Sequence, residues 1–207
     1  REQLTSSVDK VIKKNLNREY NIANIRGLIM DSTSEFDYIC RTVALELYKK
    51  LSEDKQLKIV TKAKEYVKQA ESNATHNFGD LDRVNGSKFL KQALNSTEYV
   101  MNNRDRYAIL AQVVREFDGD PEFGEDFSEK YQTELIKPRN DLAHNKLFYG
   151  KCQKKLQIAK VKQKPECDEN CASCKSKYSI EKCEELRAKI FEYYRKFVKL
   201  NEKVEEL

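Results

Sequence analysis

The densest run of chemistry-bearing side chains in this sequence is Lys137-Pro138-Arg139-Asn140-Asp141-Leu142-Ala143-His144-Asn145-Lys146. Arginine keeps its charge at any physiological pH, asparagine offers a neutral amide, and histidine titrates near neutrality. Asn140 and His144 are four residues apart and share a face if the segment is helical, while Leu142 points elsewhere, into a core. Arg139 lies about 100° round the helix from Asn140 but is long enough to bend back over the same groove. A guanidinium, an amide and an imidazole so converged are the parts needed to hold a phosphodiester and move a proton. Pro138 suits a first helical turn, which would place residues 139–147 just inside a helix N-terminus, where free N–H groups favour an anion.

The chain has only two histidines, His76 and His144. Any mechanism that needs several imidazoles from one chain is thereby excluded. His76 precedes Asn77-Phe78-Gly79-Asp80 and reads as a cation at a helix C-terminus, with no catalytic partner in view. Charge is segregated around His144. Residues 142–165 hold lysines and no acid, with Lys146, Lys151, Lys154 and Lys155 nearest the histidine. Such a stretch attracts a polyanion without regard to sequence, in a salt-dependent manner. Residues 116–129 hold acids and no base. Asp118, Asp120, Glu122 and Glu129 occupy calcium-loop positions, but Phe123 stands where that loop needs glycine, so an acidic solvated loop is the better reading.

Cysteine supplies the second chemical constellation, Cys167-x3-Cys171-x2-Cys174-x8-Cys183. Four thiolates at this spacing suit a tetrahedral zinc site, three from a loop and the fourth from the start of a helix whose dipole favours a thiolate. With every ligand protein-derived, the metal would staple loop to helix rather than catalyse. Cys152 is a spare ligand and Cys40 stands alone. Small secreted domains spread cysteines along their whole length, so this crowding in a lysine-rich chain points to a reducing compartment, the cytoplasm.

The elements that must position these groups are helical. Ile22, Ile25, Leu28 and Ile29 begin a helix that resumes through Phe36, Ile39, Val43 and Leu47, with Asp31-Ser32-Thr33-Ser34-Glu35 as a cap or kink between the halves. Leu57, Val60, Lys64 and Val67, with Ala63 and Ala70, mark a second. A third runs over 99–117 with Tyr107, Leu110, Val113, Val114 and Phe117 on its apolar side, ended by Asp118-Gly119-Asp120-Pro121. Phe127, Tyr131 and Leu135 lead towards Pro138, and helix continues or restarts to about Leu147. Leu156, Ile158 and Val161 alternate weakly, as in a short strand. Ile180 opens a long amphipathic helix striped by Cys183, Leu186, Ile190, Tyr194, Phe197, Val204 and Leu207, which packs along another helix of this chain or of a second copy.

At 207 residues with six glycines, three prolines and no Trp, the chain can bury a core and is not a loop-rich sandwich or barrel. No apolar run approaches the roughly 18 residues of a membrane span. The net charge of +5 is small against 39 bases and 34 acids, so its distribution matters more than its sum. The fold expected is all-α: one helical domain over 1–207 with a basic, cysteine-rich insertion at 151–179 before the closing helix. The start at Arg1, without a leader, reads as a cut from a longer protein.

Arg139-Asn140-x-x-Ala143-His144 resembles the signature of HEPN domains, in which a polar residue follows the arginine and the histidine stands five positions on. The likeness extends in kind to a helical bundle with the motif on a late helix and one long helix closing it. HEPN domains include many metal-independent ribonucleases. The resemblance implies that His144 acts as general base or acid, that Arg139 stabilises the charged phosphorane, and that Asn140 orients phosphate or imidazole. It also implies a 2′,3′-cyclic phosphate product and a homodimer in which two motifs face each other, since one chain has one such histidine. No cofactor serves catalysis on this reading, and zinc is structural. RNA is the substrate, and an upstream regulatory domain or an antitoxin-like partner restrains the activity. Some family toxins carry a tyrosine two residues past the histidine, where this chain has Lys146. The alternative is a catalytically silent HEPN-like module that binds nucleotide or RNA, or dimerises, as the output of a larger regulatory protein.

Overall fold

The computed structural model describes residues 22–73, 86–96, 100–144, 146–149, 156–159 and 180–207. They form an all-α bundle with one short hairpin: α1 (Ile22–Lys50), α2 (Glu53–Asn73), α3 (Gly86–Leu94), α4 (Asn103–Phe117), a 3-10 turn (Pro121–Phe123), α5 (Phe127–Tyr131), a π-helical turn (Gln132–Ile136), α6 (Lys137–His144), β1 (Lys146–Tyr149), β2 (Leu156–Ala159) and α7 (Ile180–Glu205). The chain divides into two compact units, Arg1–Thr33 with Glu134–Glu192, and Ser34–Thr133 with Tyr193–Leu207.

The second unit is built on aromatic rings. The Phe197 ring of α7 stacks on Phe36 of α1 at 4.8 Å and meets Tyr107, Phe123, Phe127 and Tyr131 edge-on. Several polar groups drawn into this core find partners there. The Tyr107 hydroxyl donates to Asp37 Oδ1 at 2.6 Å and is hydrogen-bonded to the Tyr131 hydroxyl at 2.9 Å. The Cys40 thiol donates to the Arg106 carbonyl, and Arg106 itself reaches Asn103 Oδ1 and the Ser96 carbonyl, tying the end of α3 to α4.

In the first unit the buried apolar residues are Ile25 and Ile29 of α1, Leu135 and Ile136 of the π turn, Leu142 of α6, and Cys183, Leu186 and Ile190 of α7. The Lys189 ammonium pairs with Glu134 at 3.4 Å and Glu192 at 2.9 Å. β1 and β2 form an antiparallel pair in which Lys146 faces Ala159 and Tyr149 faces Leu156.

Several expectations are corrected. α1 runs unbroken through 31–35, because the Thr33 hydroxyl turns back on its own helix and donates to the Ile29 carbonyl at 2.7 Å instead of capping a new one. On α2 the buried stripe is Ile59, Val60, Ala63 and Val67, while Leu57 is 67% exposed. α3, with Phe89, Leu90, Ala93 and Leu94 buried, was not expected at all. α4 starts at Asn103, four residues late, where the Asn102 side chain accepts the Asp105 N–H. On α7 the stripe continues through Tyr193, Phe197 and Leu200, leaving Tyr194 41% exposed and Leu207 at the surface. That stripe is buried within the chain, so its packing is intramolecular. α6 stops at His144, and Leu147 lies in a strand.

The acidic loop is neutralised by α7. Lys203 Nζ sits 2.5 Å from Asp118 and 3.1 Å from Asp120, and Asp120 also accepts the Glu122 N–H to cap the 3-10 turn. Partial burial raises the Asp120 carboxyl, but the Glu122 N–H and the Lys203 ammonium outweigh it and hold the group below its ordinary value. The folded chain therefore binds a proton there less readily than the unfolded chain. The resulting stabilisation is complete above about pH 4 and drains away as pH falls through the folded value. Asp120→Asn lowers the melting temperature near neutral pH by a few degrees at most, and calorimetry at decreasing pH shows the gap to wild type closing in acid. Phe197→Ala is the severe case. It costs about 3–5 kcal/mol in denaturant unfolding, since the ring is fully buried among partners that cannot collapse around the loss.

Candidate functional site

α6 carries the motif, and it is not a fresh helix. Residues 127–144 are helical throughout, with the π turn at Gln132–Ile136 immediately before Lys137 and Pro138. A proline inside an α-helix has no N–H to give and its ring presses on the carbonyl four residues back. The i→i+5 pattern of a π turn lets the chain continue past such a residue. The expected anion site at a free helix N-terminus is therefore not formed. What α6 offers an anion is side chains.

Two of the three motif side chains meet directly. Arg139 Nη1 donates to Asn140 Oδ1 at 3.0 Å, so the guanidinium does bend round the helix to its neighbour. Arg139 is half-buried, and its Nε is shielded from solvent without an acceptor among the described residues. An unmet donor costs about 1–3 kcal/mol and is rare in folded chains. Asn140 and His144 are exposed, one turn apart, which puts their Cβ atoms about 6 Å from each other. Leu142 is fully buried and fixes which way that row faces. His144 is the last residue of α6, and β1 begins two residues on at Lys146.

A fourth side chain comes from outside the motif. Arg26 of α1 donates from Nη2 to the Ala143 carbonyl at 3.3 Å, across a sequence separation of 117 residues. Sequence spacing held no signal for it, because Arg26 sits in an ordinary amphipathic helix. Only the packing of α1 against the end of α6 identifies it.

The remaining expected site residues fall differently. Lys146 opens β1, whereas Lys151, Lys154 and Lys155, together with Cys167, Cys171, Cys174 and His76, lie outside the described residues. Cys183 is in the first turn of α7, a free thiol, buried, and burial pushes it up to about 11. Among the described residues no group of three or more His, Cys, Asp or Glu is placed to hold a metal ion. No helix among them is long and apolar enough to cross a membrane.

Burial separates residues that hold the site up from those that would use it. Leu142→Ala costs about 2–5 kcal/mol in urea unfolding, while Asn140→Ala and His144→Ala stay within about 0.5 kcal/mol of wild type. Comparison with known proteins finds no family model, curated protein or solved structure that matches this chain.

Proposed function

We propose that this chain is a HEPN-like endoribonuclease that cleaves RNA without a catalytic metal, in a composite site formed by two copies. The observation that carries this reading is the Arg139–Asn140 pair at 3.0 Å on the helix that presents His144 to solvent one turn on. His144 removes the proton of a ribose 2′-hydroxyl. The freed oxygen attacks the adjacent phosphorus, the bond to the 5′-oxygen breaks, and His144 of the partner subunit protonates that leaving oxygen. The products are a 2′,3′-cyclic phosphate and a 5′-hydroxyl. Arg139 carries the charge that builds on the phosphorane, and Asn140 holds Arg139 and the phosphate in register. Lys146, Lys151, Lys154 and Lys155 guide the backbone through charge alone. Cys167, Cys171, Cys174 and Cys183 would hold a structural zinc ion, which would tie the segment before α7 to that helix and take no part in the chemistry.

A second reading, a silent RNA- or nucleotide-binding module that dimerises, draws on Asp141, a carboxylate inside the motif that opposes a phosphodiester. One experiment separates the two. Wild type, Arg139→Ala and His144→Ala are each incubated with RNA in EDTA. The nuclease reading requires cleavage by wild type, a fall of at least about 100-fold in each variant, and unchanged melting and dimerisation. RNA binding without cleavage, unaltered by loss of His144, leaves the silent module.

A further inference from the structure

Arg26 has more donors than its one hydrogen bond among the described residues uses. The last four carbonyls of a helix lack partners within it, and the Ala143 carbonyl, at the end of α6, is met by Arg26 Nη2. A guanidinium has five N–H donors in a rigid fork. Arg26 is half-exposed, so the rest of that fork is not sealed inside the core. Ala143 directly precedes His144 at the end of α6, and Arg139 lies one turn earlier, beside Asn140. Arg26 is therefore held at the carbonyl next to His144, and Arg139 at the start of the Asn140–His144 row.

We infer that Arg26 is a phosphate-binding residue of this site, contacting an RNA backbone phosphate next to the one Arg139 holds. The inference rests on the RNA reading above and adds a residue that the motif does not contain. A planar fork fixed by one bond to a backbone carbonyl presents its other edge to an anion at little cost in side-chain entropy, which a surface lysine does not. It also places a permanent positive charge beside the histidine that must meet a polyanion.

The test measures binding of a 2′-deoxy-substituted single strand, which lacks the nucleophile and cannot be cleaved, over a range of salt concentrations. Arg26→Gln keeps an amide donor for the Ala143 carbonyl and removes the charge. The expected result is binding about 5-fold weaker near 0.1 M salt, with the slope of log K against log salt smaller by about 0.7, the value of one lost phosphate contact on a single strand. Arg26→Lys keeps the wild-type slope. If Arg26 only caps α6, Arg26→Gln leaves the slope unchanged, which overturns the inference. A lysine variant that loses slope as the glutamine variant does also overturns it, as does a wild type that binds no single strand. Because the probe is never cleaved, failure of the nuclease chemistry shows only in the RNA assay and leaves this result legible.

Discussion

Phe197 can occupy its place only if Phe36, Tyr107, Phe123, Phe127 and Tyr131 occupy theirs. Its ring stacks on the first and meets the others at their edges, so one side chain of α7 fixes α1, α4, the 3-10 turn and α5 in the second unit. Aromatic pairs contribute about 0.5–1.5 kcal/mol beyond the area they bury, and they do so only in offset or edge-on geometry. That geometric demand turns a generic helical bundle into a particular one. The polar groups inside it obey the same demand: Tyr107, Tyr131 and Asp37 share hydrogen bonds, and Arg106 spends its guanidinium on neighbouring helix ends.

The candidate site depends on a smaller device. Leu142 is buried, and with it pinned, Asn140 and His144 have nowhere to face but solvent. The π turn lets helix run through Pro138, so the motif reaches the helix C-terminus instead of its start. Charge for an anion then comes from side chains, Arg139 within the motif and Arg26 from α1. This makes the site tolerant of exposure, since guanidiniums stay charged in water, and dependent on α1 for its second cation.

Sequence pattern located most helices and the motif, because three-to-four spacing and turn residues are local signals. Asp118-Gly119-Asp120-Pro121 stopped α4 as expected, with Gly119 at a positive φ that few other residues accept. The misreadings have physical causes. Thr33 looked like a cap but satisfies its hydroxyl on its own helix. Tyr193 and Tyr194 are adjacent and chemically alike, so only packing decided which one is buried. Leu57 is apolar and exposed because the buried stripe of α2, Ile59, Val60, Ala63 and Val67, is centred round the helix from it. At Pro138 the pattern leaves open whether helix continues or restarts, since nothing local announces the π turn that lets it continue. The Arg139–Asn140 contact was legible from side-chain reach alone. The Arg26 contact was not, because it joins segments far apart in sequence.

The Tyr107–Tyr131 pair sets an upper boundary on the conditions this fold tolerates. Burial, and for Tyr131 the nearby Asp37 carboxylate, holds both phenols well above their ordinary range. In the unfolded chain the same phenols lose their protons near pH 10. The unfolded state then binds fewer protons than the folded one, so stability falls as alkalinity rises. These two phenolates cannot form inside the aromatic core without dismantling it. Alkali therefore removes the Tyr107 and Tyr131 protons together with the structure that buries them.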